Sequence, residues 1–293
     1  MTIEITPLTP VFGARITGFG ARDALDEATI AAIDRAIDDY SVLHLPGQPV
    51  TDEEQVAFTE RFGPLEATLP GAVGSGSKVA RMSNYFPDGT MKDPNGQKAL
   101  FTRANNFWHT DSSFNSIPAR ASMLSAREIA TSGGDTEFAS TRAAYEALSE
   151  EMRVKLAGQI AYHDIAHSRL KLSPDAVTAE QRRRMPPVPQ AMVRVNPTTG
   201  RKSLLIGSHI SRIDGMADVE AEALNAELVA LATRPENTYR HKWSPGDIVI
   251  WDNRAVLHRG LPYDEVRDRR LMIRTTLAGT GPTVIDGRIQ PGA

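Results

Sequence analysis

Short apolar segments separated by turn signals fill the sequence from residue 107 onward, and this pattern constrains the fold more than any other feature. We predict strands over residues 121–129, 136–139, 191–195, 203–206, 239–243, 248–251, 256–258 and 271–277. Turn signals such as Gly-Gly-Asp at 133–135 and Pro-Gly-Asp at 245–247 separate them. Helical spacing interrupts the series at residues 142–148 and 219–231. Many short strands with few helices favour a mainly β fold with flanking helices, a double-sheet jelly roll, over a parallel α/β sheet.

The first third of the chain mixes helices and strands. Three isoleucines recur at helical spacing in residues 30–37. Thr51 and Glu54 form a capping box before a second helix, which is predicted to end at the Gly-Pro pair 63–64. We therefore expect helices beside the predicted sheets.

Two loop-like stretches precede the first candidate metal ligand. Glycine is dense in residues 70–76, and residues 87–106 are polar and contain Pro and Gly. An active-site lid around residues 70–106 is one interpretation, and a plain surface loop is the other. A chain of 293 residues fits one large β-rich domain or two small ones, and we expect a single domain over residues 1–293.

Composition excludes several functional classes. The net charge of -3, with no long Lys/Arg stripe, does not fit a nucleic-acid-binding protein. Because the chain has no cysteine, a metal site must use His and carboxylate ligands. The N-terminus lacks a signal-peptide pattern, and no segment approaches the roughly 20 apolar residues that span a bilayer. We predict a cytoplasmic protein with neither membrane nor nucleic-acid partners.

His109 and Asp111 are two potential ligands separated by one residue. On an extended segment, positions i and i+2 point to the same face, so one ion can bind both side chains. A single His-x-Asp pair is common by chance. His258, an isolated polar residue in an apolar predicted strand, would complete the two-His, one-carboxylate triad of non-haem iron oxygenases. A hydrogen-bonded core histidine is the alternative for His258.

Arginines cluster after His258, at positions 267, 269, 270 and 274. A cationic strand edge on the surface is one explanation. However, Arg270 and Arg274 flank apolar residues of a predicted strand, where cations usually require anionic partners. A dicarboxylate co-substrate would supply such a partner.

Several motifs together resemble the TauD/TfdA family of dioxygenases. They occur in order along most of the chain, at residues 62–66, 106–114, 133–138, 200–207, 239–247, 251–260 and 269–276. The resemblance implies a double-stranded β-helix of the clavaminate synthase-like kind. It also implies dependence on Fe(II), 2-oxoglutarate and O2. Iron would be bound by His109, Asp111 and His258.

The resemblance also implies roles for residues around the iron. Thr136 and Arg270 would bind the distal carboxylate of 2-oxoglutarate. The loop after His258 is one residue longer than the family pattern, so Arg269 stays open as an alternative to Arg270. Arg274 would face the anionic end of the substrate.

Three further residues are expected near the substrate. The resemblance places Asn105 and Phe114 there, and His209 is expected to line the cavity. The motifs at 62–66 and 258–264 resemble those of phenoxyacetate-cleaving members, so the predicted substrate is a small anion. We expect an aryloxyalkanoate such as 2,4-dichlorophenoxyacetate, cleaved to a phenol and an oxo acid with release of succinate and CO2.

Other functions stay open at this point. Within the family, a taurine or alkylsulfonate dioxygenase is the nearest alternative. Outside it, the alternatives are a zinc hydrolase built on His163 and His167 and a non-catalytic jelly-roll binding protein. His44 and His241 are assigned structural roles. The oligomeric state is open, with a homo-oligomer as one option.

Overall fold

The computed structural model of the chain describes residues 2–67 and 76–292. Most of the glycine-dense part of the predicted lid, residues 70–75, lies outside the described residues. Within the two described ranges, no helix combines the length and apolar character that a membrane crossing requires.

Strands occur along the whole described chain. They are β1 (Glu4–Pro7), β2 (Ala14–Thr17), β3 (Val42–Leu45), β4 (Ala80–Ser83), β5 (Ala121–Glu128), β6 (Thr136–Ser140), β7 (Ile160–His163), β8 (Val188–Ala191), β9 (Val193–Val195), β10 (Lys202–Leu204), β11 (Ile210–Ile213), β12 (Thr238–His241), β13 (Ile248–Asp252), β14 (Val256–Gly260), β15 (Leu271–Leu277), β16 (Val284–Ile285) and β17 (Arg288–Ile289). The strand predicted at 271–277 is confirmed at both ends. The single strand predicted at 191–195 is wrong, because the chain changes sheets at Met192: β8 pairs with β7, whereas β9 pairs with β10.

Helices flank the sheets. They are α1 (Glu27–Tyr40), α2 (Asp52–Glu60), α3 (Gln97–Arg103), α4 (Thr141–Glu146), α5 (Glu150–Leu156), α6 (Ile165–Leu170), α7 (Ala179–Arg184) and α8 (Asp218–Ala232), with short 3-10 turns at Ala104–Asn106, Pro174–Ala176 and Pro235–Asn237. The capping box is confirmed, since the Thr51 side chain accepts from the Glu54 amide and the Glu54 carboxylate accepts from the Thr51 amide. The short helices α3, α5, α6 and α7 have six or seven residues each and were not predicted.

The largest sheet has seven strands in the order β1-β2-β3-β13-β5-β15-β4. Its pairs are antiparallel except β2 with β3. A three-stranded antiparallel sheet, β12-β6-β14, lies against it. The central strand β13 has alternating partners: Ile248 and Ile250 pack with residues of α1 and α2, while Val249 and Trp251 pack with Phe138 of β6. The large sheet therefore has helices on one face and the small sheet on the other.

A buried ion cluster ties α1 to the turn between β13 and β14. Arg254 donates from Nε to Asp252 Oδ1 at 2.8 Å and from Nη2 to Asp38 Oδ1. Asn196 donates to the same Asp38 oxygen at 2.9 Å. All three charged residues are buried. Since this turn leads directly into the strand that carries His258, the cluster helps to fix the position of that histidine.

Replacing Arg254 by Met should lower the free energy of unfolding by about 3 to 5 kcal/mol, because two carboxylates would stay buried without their cation. Urea denaturation followed by circular dichroism measures this change. Arg184→Met is the matched control: Arg184 pairs with Glu180 on the exposed face of α7 and should contribute no more than about 0.5 kcal/mol. Equal stability losses in the two variants would show that the buried cluster does not anchor the turn.

Candidate active site

Two histidines from distant parts of the chain meet through their backbones. The His109 amide donates to the His258 carbonyl at 3.1 Å, and the His258 amide donates to the His109 carbonyl at 2.9 Å. This isolated antiparallel bridge places the two imidazole rings side by side, with centroids 4.2 Å apart. The extended segment predicted around His109 is thus a single bridge at the edge of β14.

Asp111 joins the two histidines from the same short segment. Its Oδ1 lies 3.9 Å from His109 Nε2, and its Oδ2 lies 3.7 Å from His258 Nε2. The ligand atoms of the three side chains are all within 4.8 Å of one another, and all three residues are buried. Ser122 Oγ donates to Asp111 Oδ2 at 2.8 Å and accepts from Asn253 at 3.0 Å, which orients the carboxylate.

The charge states of this cluster suit a divalent metal. Burial, followed by the charge of His258, lowers the pKa of His109 well below its usual value, and burial lowers the pKa of His258 to about 4. Burial would raise the pKa of Asp111, but Arg274 and the two imidazoles more than offset it and hold that pKa well below its usual range. His109 Nδ1 lies 2.8 Å from the Phe107 carbonyl, which favours a proton on Nδ1 and a lone pair on Nε2. Two neutral imidazoles and one carboxylate are the donor set that non-haem Fe(II) sites use.

A second cluster in the described residues has the same ligand types but a different setting. His44 Nε2 and His241 Nε2 each lie 3.3 Å from Asp247 Oδ2. The Ser244 amide donates to that same carboxylate oxygen at 2.9 Å, so Asp247 also holds the turn before β13. None of the three residues lines the cavity described next. Their setting agrees with the structural roles assigned to His44 and His241.

The His109–Asp111–His258 cluster opens into a cavity of about 560 Å³. The structure brings every predicted site residue to its wall: His109, Asp111, His258, Thr136, Arg270, Arg274, Asn105, Phe114 and His209. The described part of the predicted lid region contributes α3 and β4 to the same wall. Closure of this region over a ligand stays a prediction.

Arg270 and Thr136 lie on the wall formed by the two sheets. Thr136 Oγ accepts from Trp243 Nε1 at 3.0 Å, so its own hydroxyl hydrogen stays available for another acceptor. Arg270 donates from Nη2 to the Gly134 carbonyl at 3.0 Å, and burial lowers its pKa. A Cβ on Gly134 would lie only 3.2 Å from Arg270 Nε, so the glycine makes room for the guanidinium. Two donors on one wall, one of them charged, suit a carboxylate.

Arg269, the alternative to Arg270, lies outside the cavity. Its side chain is exposed, its Nε is 3.5 Å from Glu128 Oε1, and its guanidinium lies over the Tyr85 ring at 4.0 Å. Arg274 does line the cavity, but its Nη1 lies 2.5 Å from Asp111 Oδ1. The cation expected to face the substrate thus already contacts a candidate metal ligand.

Phe114 and His209 form a second wall beside the histidine pair. Their rings contact edge to face, with centroids 5.0 Å apart. Ser113 Oγ lies 3.1 Å from His209 Nδ1, and burial lowers the pKa of His209 well below its usual value. A neutral His209 and an aromatic ring give this wall a largely apolar character.

Glu66 and Arg169 are among the charged residues of the cavity that sequence reasoning missed. Glu66 accepts from Ser112 Oγ at 2.7 Å, and burial raises its pKa to about 7. Glu66 is the last residue of the 62–66 motif, and this motif was the only sequence signal that could have indicated its role. Arg169 on α6 is buried and donates to Asn105 Oδ1 at 2.8 Å. Nothing in the local sequence around Arg169 indicates that it reaches a cavity.

The zinc-hydrolase alternative fails on geometry. His163 lies on strand β7 and His167 on the following helix α6, so the two imidazoles do not share one helical face. Among the described residues, neither belongs to a group that could hold a metal ion. Burial also lowers the pKa of His163 to about 3.

Comparisons with known proteins agree with this geometry. A family model described as "Taurine catabolism dioxygenase TauD, TfdA family" matches residues 4–276. The chain is 41% identical over 282 residues to the alpha-ketoglutarate-dependent 2,4-dichlorophenoxyacetate dioxygenase of Cupriavidus pinatubonensis, covering 94% of this chain and 98% of that relative. It is 36% identical to the (S)-phenoxypropionate/alpha-ketoglutarate-dioxygenase of Sphingobium herbicidovorans, over 94% of this chain and 95% of that relative.

A solved structure is similar over almost the whole chain. The crystal structure of AAD-2 in complex with Mn(II) and N-oxalylglycine matches with a TM-score of 0.90 and 38% sequence identity. The match covers 98% of this chain and 100% of that one. The predicted jelly-roll fold is thereby confirmed.

Substituting Ala for His109, Asp111 or His258 should abolish tight Mn²⁺ binding, since each substitution removes one of three ligand atoms. Loss of a group that only orients a ligand typically weakens metal binding by roughly 10- to 100-fold, and loss of a ligand should exceed this. Titration calorimetry with Mn²⁺ measures the affinity. The matched control is His241→Ala, from the second cluster, which should bind Mn²⁺ as the unsubstituted protein does. Loss of binding in the control alone would move the metal site to His44, His241 and Asp247.

Proposed function

The chain belongs to the TauD/TfdA family, and on that premise we propose that it is an aryloxyalkanoate dioxygenase with iron held by His109, Asp111 and His258. Family membership makes it a 2-oxoglutarate-dependent non-haem iron dioxygenase, which confirms the predicted reaction class and co-substrate. Hydroxylation next to the ether oxygen would give a hemiacetal that separates into a phenol and an oxo acid. A cytoplasmic location and homo-oligomerisation stay predictions.

One observation carries the proposal: a single cavity contains a buried His-Asp-His cluster and, on a neighbouring wall, a half-buried cation beside a free hydroxyl. The His109–Asp111–His258 cluster can bind a metal ion. Arg270 and Thr136 account for a carboxylate-bearing co-substrate. Arg274 and the apolar Phe114 wall remain available for an anionic substrate with an apolar body.

The three ligands would hold Fe(II) by Nε2 of each histidine and a carboxylate oxygen of Asp111. When bound there, Fe(II) and 2-oxoglutarate would supply the chemistry that hydroxylates the substrate with one atom of dioxygen and places the other atom in succinate. Ser122 and the Phe107 carbonyl keep the carboxylate and the His109 ring in position. Because the three ligands line the cavity, the group they hold would lie next to the space where the substrate must bind.

Arg270 and Thr136 would bind the far carboxylate of 2-oxoglutarate. The guanidinium supplies charge-assisted donors, and the Thr136 hydroxyl supplies a neutral one. Trp243 fixes the hydroxyl by donating to its oxygen. The Tyr263 ring lies 5.6 Å from the Arg270 guanidinium and lines the same cavity. This arrangement orients the co-substrate and keeps water away from its carboxylate.

The aryl group of the substrate would pack against Phe114 and the neutral His209 ring, near Asn105. The cavity of about 560 Å³ has the size of a typical small-ligand site. The sequence makes Arg274 the candidate for binding the acidic group of the substrate. However, Asp111 already contacts the Arg274 guanidinium and would compete with the substrate for it.

A substrate screen tests the reaction class and substrate together. The Fe(II)-loaded protein should convert 2,4-dichlorophenoxyacetate to the phenol, with succinate formed in equal amount, and should leave the neutral amide and taurine largely unreacted. Liquid chromatography measures both products, and His109→Ala serves as the inactive control. Turnover of taurine or an alkyl sulfate in place of the aryloxyacetate would contradict the proposal and support the taurine or alkylsulfonate dioxygenase instead.

Arg270→Ala should raise the KM for 2-oxoglutarate by roughly 10- to 150-fold, the equivalent of a charge-assisted hydrogen bond of about 1.5 to 3 kcal/mol. Thr136→Ala should act in the same direction by no more than roughly tenfold, since it removes a neutral donor. Arg269→Ala is the matched control and should leave the KM unchanged, because Arg269 lies outside the cavity. A large effect in the Arg269 variant with none in the Arg270 variant would reverse the assignment.

A further inference from the structure

We propose that Arg169 forms an anion-binding subsite in the active-site cavity and takes the acidic group of the substrate. This inference rests on the proposed function and names the part of the cavity that selects for an acid. The subsite lies on α6, apart from β15, which carries Arg274.

Arg169 is held rigidly at the cavity wall. It is 4% exposed, and its Nη1 donates to Ser168 Oγ at 3.0 Å. Its Nη2 donates to Asn105 Oδ1 at 2.8 Å, and its guanidinium lies 4.7 Å from the Phe101 ring centre. These contacts orient the planar group without neutralising its charge.

No carboxylate among the described residues forms an ion pair with Arg169, and its Nε is buried without a hydrogen-bond partner. Its third neighbour is His209 Nε2 at 3.4 Å, and an imidazole has no negative charge that could neutralise the guanidinium. The remaining buried arginines serve as comparison. Arg254 has two aspartates as partners. Arg142 and Arg194 are also buried and form no ion pair with a carboxylate of the described residues, but neither lines the cavity.

A buried cation without an ion-pair partner raises the free energy of the folded protein. Burial lowers the pKa of Arg169 to about 10, although the more distant charge of Asp111 partly offsets this effect. An anion that enters the cavity would supply the missing ion-pair partner in a medium of low dielectric constant, where the attraction is strong. Arg274 should attract an anion less strongly than Arg169 does, because Asp111 lies 2.5 Å from its Nη1. The positive charge of Arg274 also acts on Arg169, so an anion in this cavity relieves the repulsion between them.

The surroundings of Arg169 fit an acid with an aromatic body. Phe101 and Phe114 line the cavity together with Ile165 and Ala176 from the α6 side. A guanidinium binds a carboxylate or a sulfonate equally well by geometry, so the apolar lining favours the aryl acid. The alternative is a purely structural role in which Arg169 ties α6 to Asn105 without contacting a ligand.

Binding measurements separate these roles. The Mn(II)- and 2-oxoglutarate-loaded protein is titrated by calorimetry with 2,4-dichlorophenoxyacetate and with its neutral amide. Arg169→Met should weaken binding of the acid by roughly 10- to 100-fold and leave the amide nearly unchanged, because only the acid loses a charged partner. Arg169→Lys should recover part of the affinity. Arg194→Met is the matched control: it removes an equally buried arginine away from the cavity and should leave both affinities unchanged.

Two results would overturn the subsite: unchanged affinity for the acid in Arg169→Met, or equal losses for acid and amide, which mark a structural role. Loss of acid binding in Arg274→Met but not in Arg169→Met would assign the anion to Arg274 instead. Failure of the proposed function gives a different pattern. If the unsubstituted protein turns over an alkylsulfonate and no aryloxyalkanoate, the substrate class is wrong, and the same variants titrated with that sulfonate then decide the role of Arg169.

Discussion

The reciprocal backbone bridge between His109 and His258 is the interaction on which the candidate active site depends. Two hydrogen bonds, of 3.1 and 2.9 Å, join a short segment after α3 to strand β14 and place two imidazoles side by side. Asp111 follows His109 by two residues, so the same bridge brings the carboxylate to both rings. Buried contacts away from the bridge also stabilise this arrangement, since the Arg254 cluster holds the turn that leads into β14.

The cavity concentrates positive charge that the protein itself only partly neutralises. Asp111 contacts Arg274, while Arg270 has a backbone carbonyl and Arg169 an amide oxygen as partners. Buried cations with neutral partners attract anions strongly because little water screens them. The proposed function brings two anions into one cavity, a dicarboxylate co-substrate and an acidic substrate. Arg270 directly before β15 and Arg169 on α6 provide separate positions for the two.

The architecture explains how one cavity receives residues from so many parts of the chain. The small sheet β12-β6-β14 contributes Thr136 and His258, and the large sheet contributes Arg274. Helices α3 and α6 and the short segment 104–114 close the remaining sides. Because the strands alternate their side chains between two faces, Val249 and Trp251 of β13 pack between the sheets while Ile248 and Ile250 pack under the helices. Thr136, His258 and Arg274 therefore lie on strands, whereas His109 and Asp111 lie on an irregular segment and Arg169 on a short helix.

The sequence by itself determined everything that depends on local pattern: the capping box at Thr51, the strand Leu271–Leu277, the His-x-Asp spacing and the ordered motifs of the family. Only the tertiary structure decided that Arg270 faces the cavity while Arg269 pairs with Glu128. The side chains of adjacent residues point in different directions, and one extra loop residue leaves it undetermined from sequence which of the two points into the cavity. It also decided that Arg169 reaches the active site. Arg169 lies on a six-residue helix, which is too short to give a periodic sequence signal. Distant segments of the chain pack around it, and they determine that it is buried without a carboxylate partner.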